Sequence, residues 1–240
     1  MDEKIARLFQ GWEETMIWSC LQGHMGYAIT DGRETPAAAQ IVVGDFCFFA
    51  GNPDKALIRR AAAPIVTPQN EDWCRAIEEE LGEKAQKALR YAIRKEPDVF
   101  DRKKLKGYTE ALPEGFCLRR IDESLYEALM GEEWSGDFCS QFLGAEDFVN
   151  RGLGIVALYQ GKPVAGASSY TIYTDGIEIE IDTRPDFRRM GLALACGAKL
   201  ILECLDRGWY PSWDAHDLRS VALAEKLGYH MDGPYPVYFI

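Results

Sequence analysis

The stretch from Ile177 to Ala193 constrains the fold of this chain more than any other. Ile177-Glu178-Ile179-Glu180-Ile181-Asp182 alternates apolar and acidic residues with period two, the pattern of a strand with one face on a core. Ile177, Ile179 and Ile181 are predicted to face that core, while Glu178, Glu180 and Asp182 share the other side. Arg184-Pro185 breaks the strand, and a helix is predicted over Gly191 to Asp206 with Leu194, Ala198, Ile201 and Leu205 in one stripe. A helix N-terminus exposes unpaired backbone N–H groups and the positive end of a dipole. The turn Arg188-Arg189-Met190-Gly191-Leu192-Ala193 is therefore a candidate anion site. Gly191 has no Cβ to hold a phosphate off the backbone, Ala193 is small, and the two arginines add charge. On spacing alone, a tight strand–helix turn with exposed arginines explains the segment equally well.

The segments around it form a regular series. Phe116 to Ile121 reads as a strand, followed by a helical region from Asp122. Ile155 to Tyr159, the turn Gln160-Gly161-Lys162, Pro163 to Ile172, the turn Thr174-Asp175-Gly176 and the alternating strand make an antiparallel meander. After the helix come a strand near Trp209 to Asp214, a helix over Asp217 to Leu227 capped by Gly228, and a last strand over Pro236 to Ile240. The first half reads as mixed α and β: a helix over Glu3 to Phe9, strands over Gly26 to Thr30 and Gln40 to Phe49, a turn at Gly51-Asn52-Pro53-Asp54, a helix over Glu71 to Leu81, and a strand over Ala88 to Ile93. Trp73, Ile77 and Leu81 share one face of that helix, so Glu78-Glu79-Glu80 is a solvated face. The charged stretch from Arg94 places a domain boundary near Pro113. This gives an α+β domain over 1–113 with no recognisable chemistry and a second domain over 114–240. A chain of 240 residues is long enough for both, at roughly 100–200 residues per domain.

Charge and cysteine usage exclude several classes. The net charge of −11 opposes nucleic-acid binding, which needs basic surface to neutralise phosphates; it suits a cationic substrate, and solubility alone explains it equally well. The seven cysteines are odd in number, contain no CxxC and sit in apolar patterns such as Phe46-Cys47-Phe48, as buried thiols in a reducing cytoplasm do. The start Met1-Asp2-Glu3-Lys4 lacks an apolar signal core. No apolar run approaches the roughly 20 residues needed to cross a bilayer. No histidine pair has metal-ligand spacing, so no metal is expected. His216 reads as a cap-flanking residue and Cys196 as a small buried thiol.

Two blocks in order carry a resemblance. Arg188-Arg189-Met190-Gly191-Leu192-Ala193 is similar to the Gln/Arg-x-x-Gly-x-Gly/Ala motif of the GNAT superfamily of N-acetyltransferases, with Pro185 just ahead of it. Asp217-Leu218-Arg219-Ser220-Val221-Ala222-Leu223-Ala224-Glu225-Lys226-Leu227-Gly228-Tyr229 resembles that superfamily's Asn-x-x-Ser…Glu-Lys-x-Gly-Phe/Tyr helix. The resemblance covers Phe116 to Ile240. More narrowly, Trp18-Ser19-Cys20…Gly23 and Gly44-Asp45-Phe46-Cys47-Phe48 make the whole chain resemble the branch related to zwittermicin A resistance acetyltransferases.

The resemblance implies an α+β fold with a central mixed, mostly antiparallel sheet flanked by helices. It also implies acetyl-CoA as cosubstrate and a small-molecule primary amine as acceptor, acetylated by direct attack. The cofactor-binding residues it implies are Ile181, Asp182 and Thr183 for the pantetheine and acetyl group, Arg188 to Ala193 for the pyrophosphate, Asp217 for the pantetheine arm, and Ser220 for either the helix cap or the cofactor. Asp217 stands where the family has Asn and is also a good N-cap. Ala224 stands where many members have a Tyr general acid, so none is assigned. A base is sought among the strand carboxylates, Glu180 ahead of Glu178 because it is nearer the splay, against the plainer reading of a solvated strand face. A CoA-binding module without catalysis and a peptide N-acetyltransferase are the rival readings. The first half is expected to wall the acceptor site or to mediate a homodimer.

Overall fold

A computed structural model describes residues 2–240. The chain up to Tyr91, with Gly233–Ile240, makes one compact unit, and Ala92–Asp232 makes the other. In the first unit, α1 (Glu3–Leu8) and α2 (Thr15–Leu21) precede β1 (Tyr27–Thr30), β2 (Ala38–Val43) and β3 (Phe46–Gly51), an antiparallel series. The short α3 (Lys55–Ile58) crosses to β4 (Ile65–Pro68), which runs parallel to β3. After α4 (Glu71–Leu81) comes β5 (Gln86–Ile93). The chain's final strand pairs Tyr238 and Phe239 antiparallel with Val66 and Ile65 of β4.

The run expected as one strand over Gln40 to Phe49 is a hairpin. Gly44 adopts φ 55° and Val43 pairs with Phe46 across the two-residue turn. The run read as continuous because β2 and β3 are buried on both faces, which erases the alternation a half-exposed strand shows. Val42, Cys47 and Phe49 pack with Leu57, Ile58, Trp73 and Ile77 into one core cluster. Trp73 is fully buried and its Nε1 donates to the Gly51 carbonyl at 2.9 Å.

The second unit holds α5 (Arg102–Glu110), β6 (Phe116–Arg120), α6 (Glu123–Met130), a 3-10 segment (Glu133–Phe138) and α7 (Ala145–Arg151). They are followed by β7 (Gly154–Tyr159), β8 (Lys162–Tyr173), β9 (Gly176–Thr183), α8 (Leu192–Asp206), β10 (Tyr210–Ser212), β11 (Asp214–Ala215) and α9 (Leu218–Leu227). The last strand, β12 (Met231–Phe239), completes the chain. One sheet runs β10-β9-β8-β7-β6 and is antiparallel except for the β9–β10 pair. The Gln160-Gly161 turn closes the β7–β8 hairpin with both residues at positive φ, 49° and 79°.

The compact units divide at Tyr91/Ala92, inside β5. The charged stretch from Arg94 contains α5, which packs on α8 and pairs Arg102 with Asp206. Two expectations are corrected by the structure. The strand predicted over Trp209 to Asp214 is two short strands split at Trp213. The buried side of α8 is broader than one stripe. Leu192, Ala195, Cys196, Gly197, Ala198, Leu200, Ile201 and Cys204 are buried, whereas Leu194 and Leu205 are only half-buried. Six of the seven thiols are buried and Cys117 is exposed. Burial pushes the Cys196 thiol up to about 12, so it holds its proton at neutral pH.

Truncating Trp73 to Ala is expected to cost the fold about 3–5 kcal/mol, because a large void and a lost hydrogen-bond donor replace a packed indole. Chemical denaturation measures this. A loss under about 1 kcal/mol would contradict the packing described.

Candidate active site

The site begins where a pairing stops. β10 pairs with β9 at Tyr210↔Gly176, Pro211↔Ile177 and Ser212↔Glu178 only, while β9 stays paired with β8 as far as Ala165↔Thr183. From Ile179 to Thr183 one edge of β9 therefore has no strand beside it among the described residues. Such an edge offers backbone N–H and C=O groups to whatever lies along it. Contacts after β10 fix the divergence. Trp213 is buried, donates from Nε1 to the Ser220 hydroxyl at 3.0 Å and packs edge-on against Tyr229 at 5.5 Å. Tyr229 in turn donates to the Pro211 carbonyl at 2.6 Å. The chain is thus tied to α9 just beyond the last paired residue.

At the far end of that edge β9 turns into α8. Arg184 forms a two-pronged ion pair with Asp186 at 2.7 and 2.8 Å and lies over the Phe187 ring. Phe187 packs against Phe116 and Tyr159, which pins the turn to the β6–β7 side of the sheet. Arg188 donates from Nε to the Thr183 carbonyl at 3.0 Å and approaches Asp182 at 3.5 Å. Arg189 takes φ 66° and Gly191 φ 79°, two left-handed residues that wind the chain tightly into the helix. Arg189 and Met190 are exposed, Leu192 is buried as the helix anchor, and Ala193 is half-buried.

The start of α8 differs from the other long helices. Asn70, Asp101, Asp122 and Asp217 place side-chain oxygens on the first-turn amides of α4, α5, α6 and α9. Gly191 has no side chain to do so. The first-turn N–H groups of a 15-residue helix are left for an external acceptor. A Cβ placed on Gly191 would meet nothing within 4 Å, so the space in front of these amides is clear of protein. The residues fit a diphosphate.

The acidic side of β9 departs from the plainer reading of a solvated strand face. Glu178 is 4% exposed, while Glu180 and Asp182 are half-buried. Tyr173, Tyr210 and Tyr229 crowd Glu178, and its charge adds to burial in raising all three phenol pKa values, that of Tyr210 to about 12. These rings lie outside β9 itself, so period-two alternation within the strand could not reveal them. Thr171 and Ser212 flank Glu178 on the neighbouring strands, and their buried hydroxyls meet no protein partner. Leaving such groups unpaired costs about 1–3 kcal/mol each, which marks this row as polar surface retained inside a core.

The same face carries a cover that the sequence did not reveal. Ser168, paired with Glu180, donates to the Phe138 carbonyl at 2.7 Å, and a Cβ on Gly166 would lie 2.5 Å from the Phe138 ring. The segment Glu133–Phe138 thus sits on the β8–β9 face beside Glu180 and Asp182. Gly166, inside a strand, was the only sequence signal of this close approach.

The second block is occupied differently from the first. Asp217 caps α9 through Arg219 N at 2.9 Å and Ser220 N at 3.0 Å, and pairs with the Arg219 guanidinium at 2.6 Å. The Arg219 side chain, with the amide bonds, holds the Asp217 carboxyl down to about 2. Ser220 accepts from Trp213. Ala224 and Tyr229 are buried, so neither reaches an open site. The His216 side chain is 70% exposed. Among the described residues no three His, Cys, Asp or Glu side chains converge as a metal site, and no helix is long and apolar enough to cross a membrane.

The family model described as GNAT acetyltransferase matches residues 6–238. An uncharacterised N-acetyltransferase, YdfB of Bacillus subtilis (strain 168), is 29% identical over 140 residues. That match covers 55% of this chain and 51% of the relative, about half its length. Among solved structures, a GCN5-related N-acetyltransferase-like protein from Streptococcus suis is 46% identical with a TM-score of 0.95, covering 99% of this chain and 97% of that one. A GCN5-related N-acetyltransferase from Kribbella flavida, 15% identical, shares the fold with a TM-score of 0.60 over 94% of each chain.

The cap at Asp217 has a pH signature. Its folded pKa lies below the unfolded value of about 3.9, so its contribution is complete above that value and is lost as pH falls through about 2. Asp217→Ala is expected to destabilise by about 1 kcal/mol at pH 7, and the gap to the parent should narrow between pH 4 and pH 2. Urea denaturation at both ends of that range measures it. A gap independent of pH would remove the ionised cap.

Proposed function

The chain belongs to the GNAT acetyltransferase family, and on that premise we propose that it transfers an acetyl group to the primary amine of a small molecule by direct attack. The family is one of N-acetyltransferases, and acetyl-CoA is their acyl donor. The observation that carries the finer reading is the open edge of β9 from Ile179 to Thr183, which runs into the uncapped start of α8.

In this reading residues 188–193 hold the pyrophosphate on first-turn amides and on arginine charge. Acetyl-CoA supplies the thioester acyl group. The backbone of Ile181, Asp182 and Thr183 lies along the open edge, where an N–H aimed at the carbonyl oxygen would stabilise developing negative charge. Glu180 stands on the half-buried part of the acidic face, under the Glu133–Phe138 cover, and takes the ammonium proton. Glu178 lies deeper, beside the tyrosines, and adds negative potential that favours a cation at the mouth. Asp217 and Ser220 contribute as the capped start of α9, with Trp213 holding the fork apart. The N-terminal segments Trp18-Ser19-Cys20 and Gly44–Phe48 support placing the chain in the branch related to zwittermicin A resistance acetyltransferases.

Gly191→Glu puts bulk and negative charge in front of the α8 amides. Acetyl-CoA affinity by calorimetry is expected to fall at least 100-fold; unchanged affinity in the glutamate variant would remove the pyrophosphate site. Glu180→Gln is expected to lower turnover about 100-fold or more below the acceptor's pKa. The deficit should shrink as pH rises and the amine loses its proton unaided. Full activity across pH would exclude Glu180 as base. Release of CoA with a panel of amines and peptides tests the transfer itself. Binding without release would reduce the protein to a cofactor-binding module.

A further inference from the structure

The two units repeat one topology, and the repeat leaves one position unfilled. In the first, β1-β2-β3 are antiparallel and β4 returns parallel to β3 after α3; in the second, β7-β8-β9 are antiparallel and β10 returns parallel to β9 after α8. β1 is therefore the counterpart of β7. In the second unit β6 lies antiparallel along the outer side of β7, from Phe116↔Tyr159 to Arg120↔Ile155, and β7 is buried from Gly154 to Leu158. In the first unit the chain ahead of β1 holds two helices and no strand. β1 pairs with β2 alone among the described residues. None of its four residues is buried, and Tyr27 is 52% exposed.

The pairing of β1 with β2 fixes which backbone groups are spare. Asp31 N donates to the Ala38 carbonyl at 3.1 Å, one step beyond Thr30↔Ala39 in the same register. Hydrogen-bonded pairs alternate along an antiparallel ladder. Tyr27 and Ile29 therefore also turn their backbone groups to β2, and Ala28 and Thr30 turn theirs outward. Edge strands resist pairing with other chains by charge, proline or bulges. β6, the outer strand of the other unit, carries the exposed Arg119 and Arg120. β1 reads Tyr-Ala-Ile-Thr and keeps an unbroken register with β2, so it has none of these devices.

We propose that β1 pairs antiparallel with β1 of a second copy of this chain, about a two-fold axis at Ala28. The strand that the repeat sets beside β7 is antiparallel, and a two-fold axis supplies an antiparallel strand from an identical chain. Residues opposed across the axis have side chains on one side of the sheet, so their numbers differ by an even number. With the axis at Ala28, the two Ala28 residues exchange both hydrogen bonds, and Tyr27 lies beside the partner's Ile29 on either side of the axis. Ile29 already packs against the core cluster of its own unit. Each exposed phenol ring then covers the edge of the other copy's core, an aromatic–β-branched pair of the kind that stabilises neighbouring strands. An axis at Ile29 would instead set Tyr27 against the partner's Asp31. This self-complementarity selects a second copy over an unrelated strand.

Four residues a side make a small interface, so association is weak and concentration-dependent. Sedimentation of the full chain from about 5 µM to about 500 µM is expected to show its mass rising toward that of two chains. Ala28→Pro removes the outward N–H, and proline is accepted where an edge N–H faces solvent. Tyr27→Lys puts a charge beside the partner's Ile29. Both variants are expected to stay monomeric over the same range with unchanged circular dichroism. Tyr27 is exposed, so its variant keeps the fold and carries the test whatever the proline does. In a Cys117→Ser background, mild oxidation is expected to join Ala28→Cys chains, whose Cα atoms would lie about 5.5 Å apart, and to leave Thr30→Cys chains single. A monomer at every concentration, a dimer that Tyr27→Lys leaves intact, or cross-linking through Thr30→Cys and not through Ala28→Cys would each overturn the proposal.

Discussion

The site depends on a parallel pairing that lasts only three residues. Had β10 continued beside β9, the backbone from Ile179 to Thr183 would be spent on the sheet and the path to α8 closed. Trp213 prevents this: its ring is buried against Tyr229 and its Nε1 is bonded to Ser220, so the strand is drawn to α9 once Ser212 has paired with Glu178. The sheet thereby gives up several hydrogen bonds, and the exposed edge gains a direction, from a buried carboxylate at one end to uncapped helix amides at the other.

That direction also separates charge. The positive end of α8, with Arg188 and Arg189, lies where β9 ends, and the carboxylates Glu178, Glu180 and Asp182 line the strand leading to it. An anionic group and a cationic one are each attracted to opposite ends of a single strand. This arrangement, more than any one residue, suits a reaction that brings a phosphate-bearing donor to an amine.

Much of this was legible in the sequence, and what escaped shares a cause. Ile177 to Asp182 announced a strand, and Gly191 announced a helix start free of a side-chain cap, because both features are local. The Asp217 cap and the Gly228 terminus were equally local. Burial of Glu178 was not legible, because it is produced by Tyr173, Tyr210 and Tyr229 from separate elements. The hairpin at Gly44 was hidden because two-faced burial removes alternation. The packing of α5 on α8 was hidden in the same way, because the helix carries charge on its exposed side. The Phe138 cover left only Gly166 as its trace.

The repeat of topology supplies an internal comparison. The same crossover ends in a capped four-residue helix in one unit and in an uncapped 15-residue helix in the other, so only the second leaves its first-turn amides without a side-chain acceptor. Amide hydrogen exchange with and without acetyl-CoA reads this contrast directly. Protection is expected to rise at amides of residues 179–194 and to stay unchanged at residues 51–58. Unchanged exchange over 189–194 in protein saturated with acetyl-CoA would contradict the account.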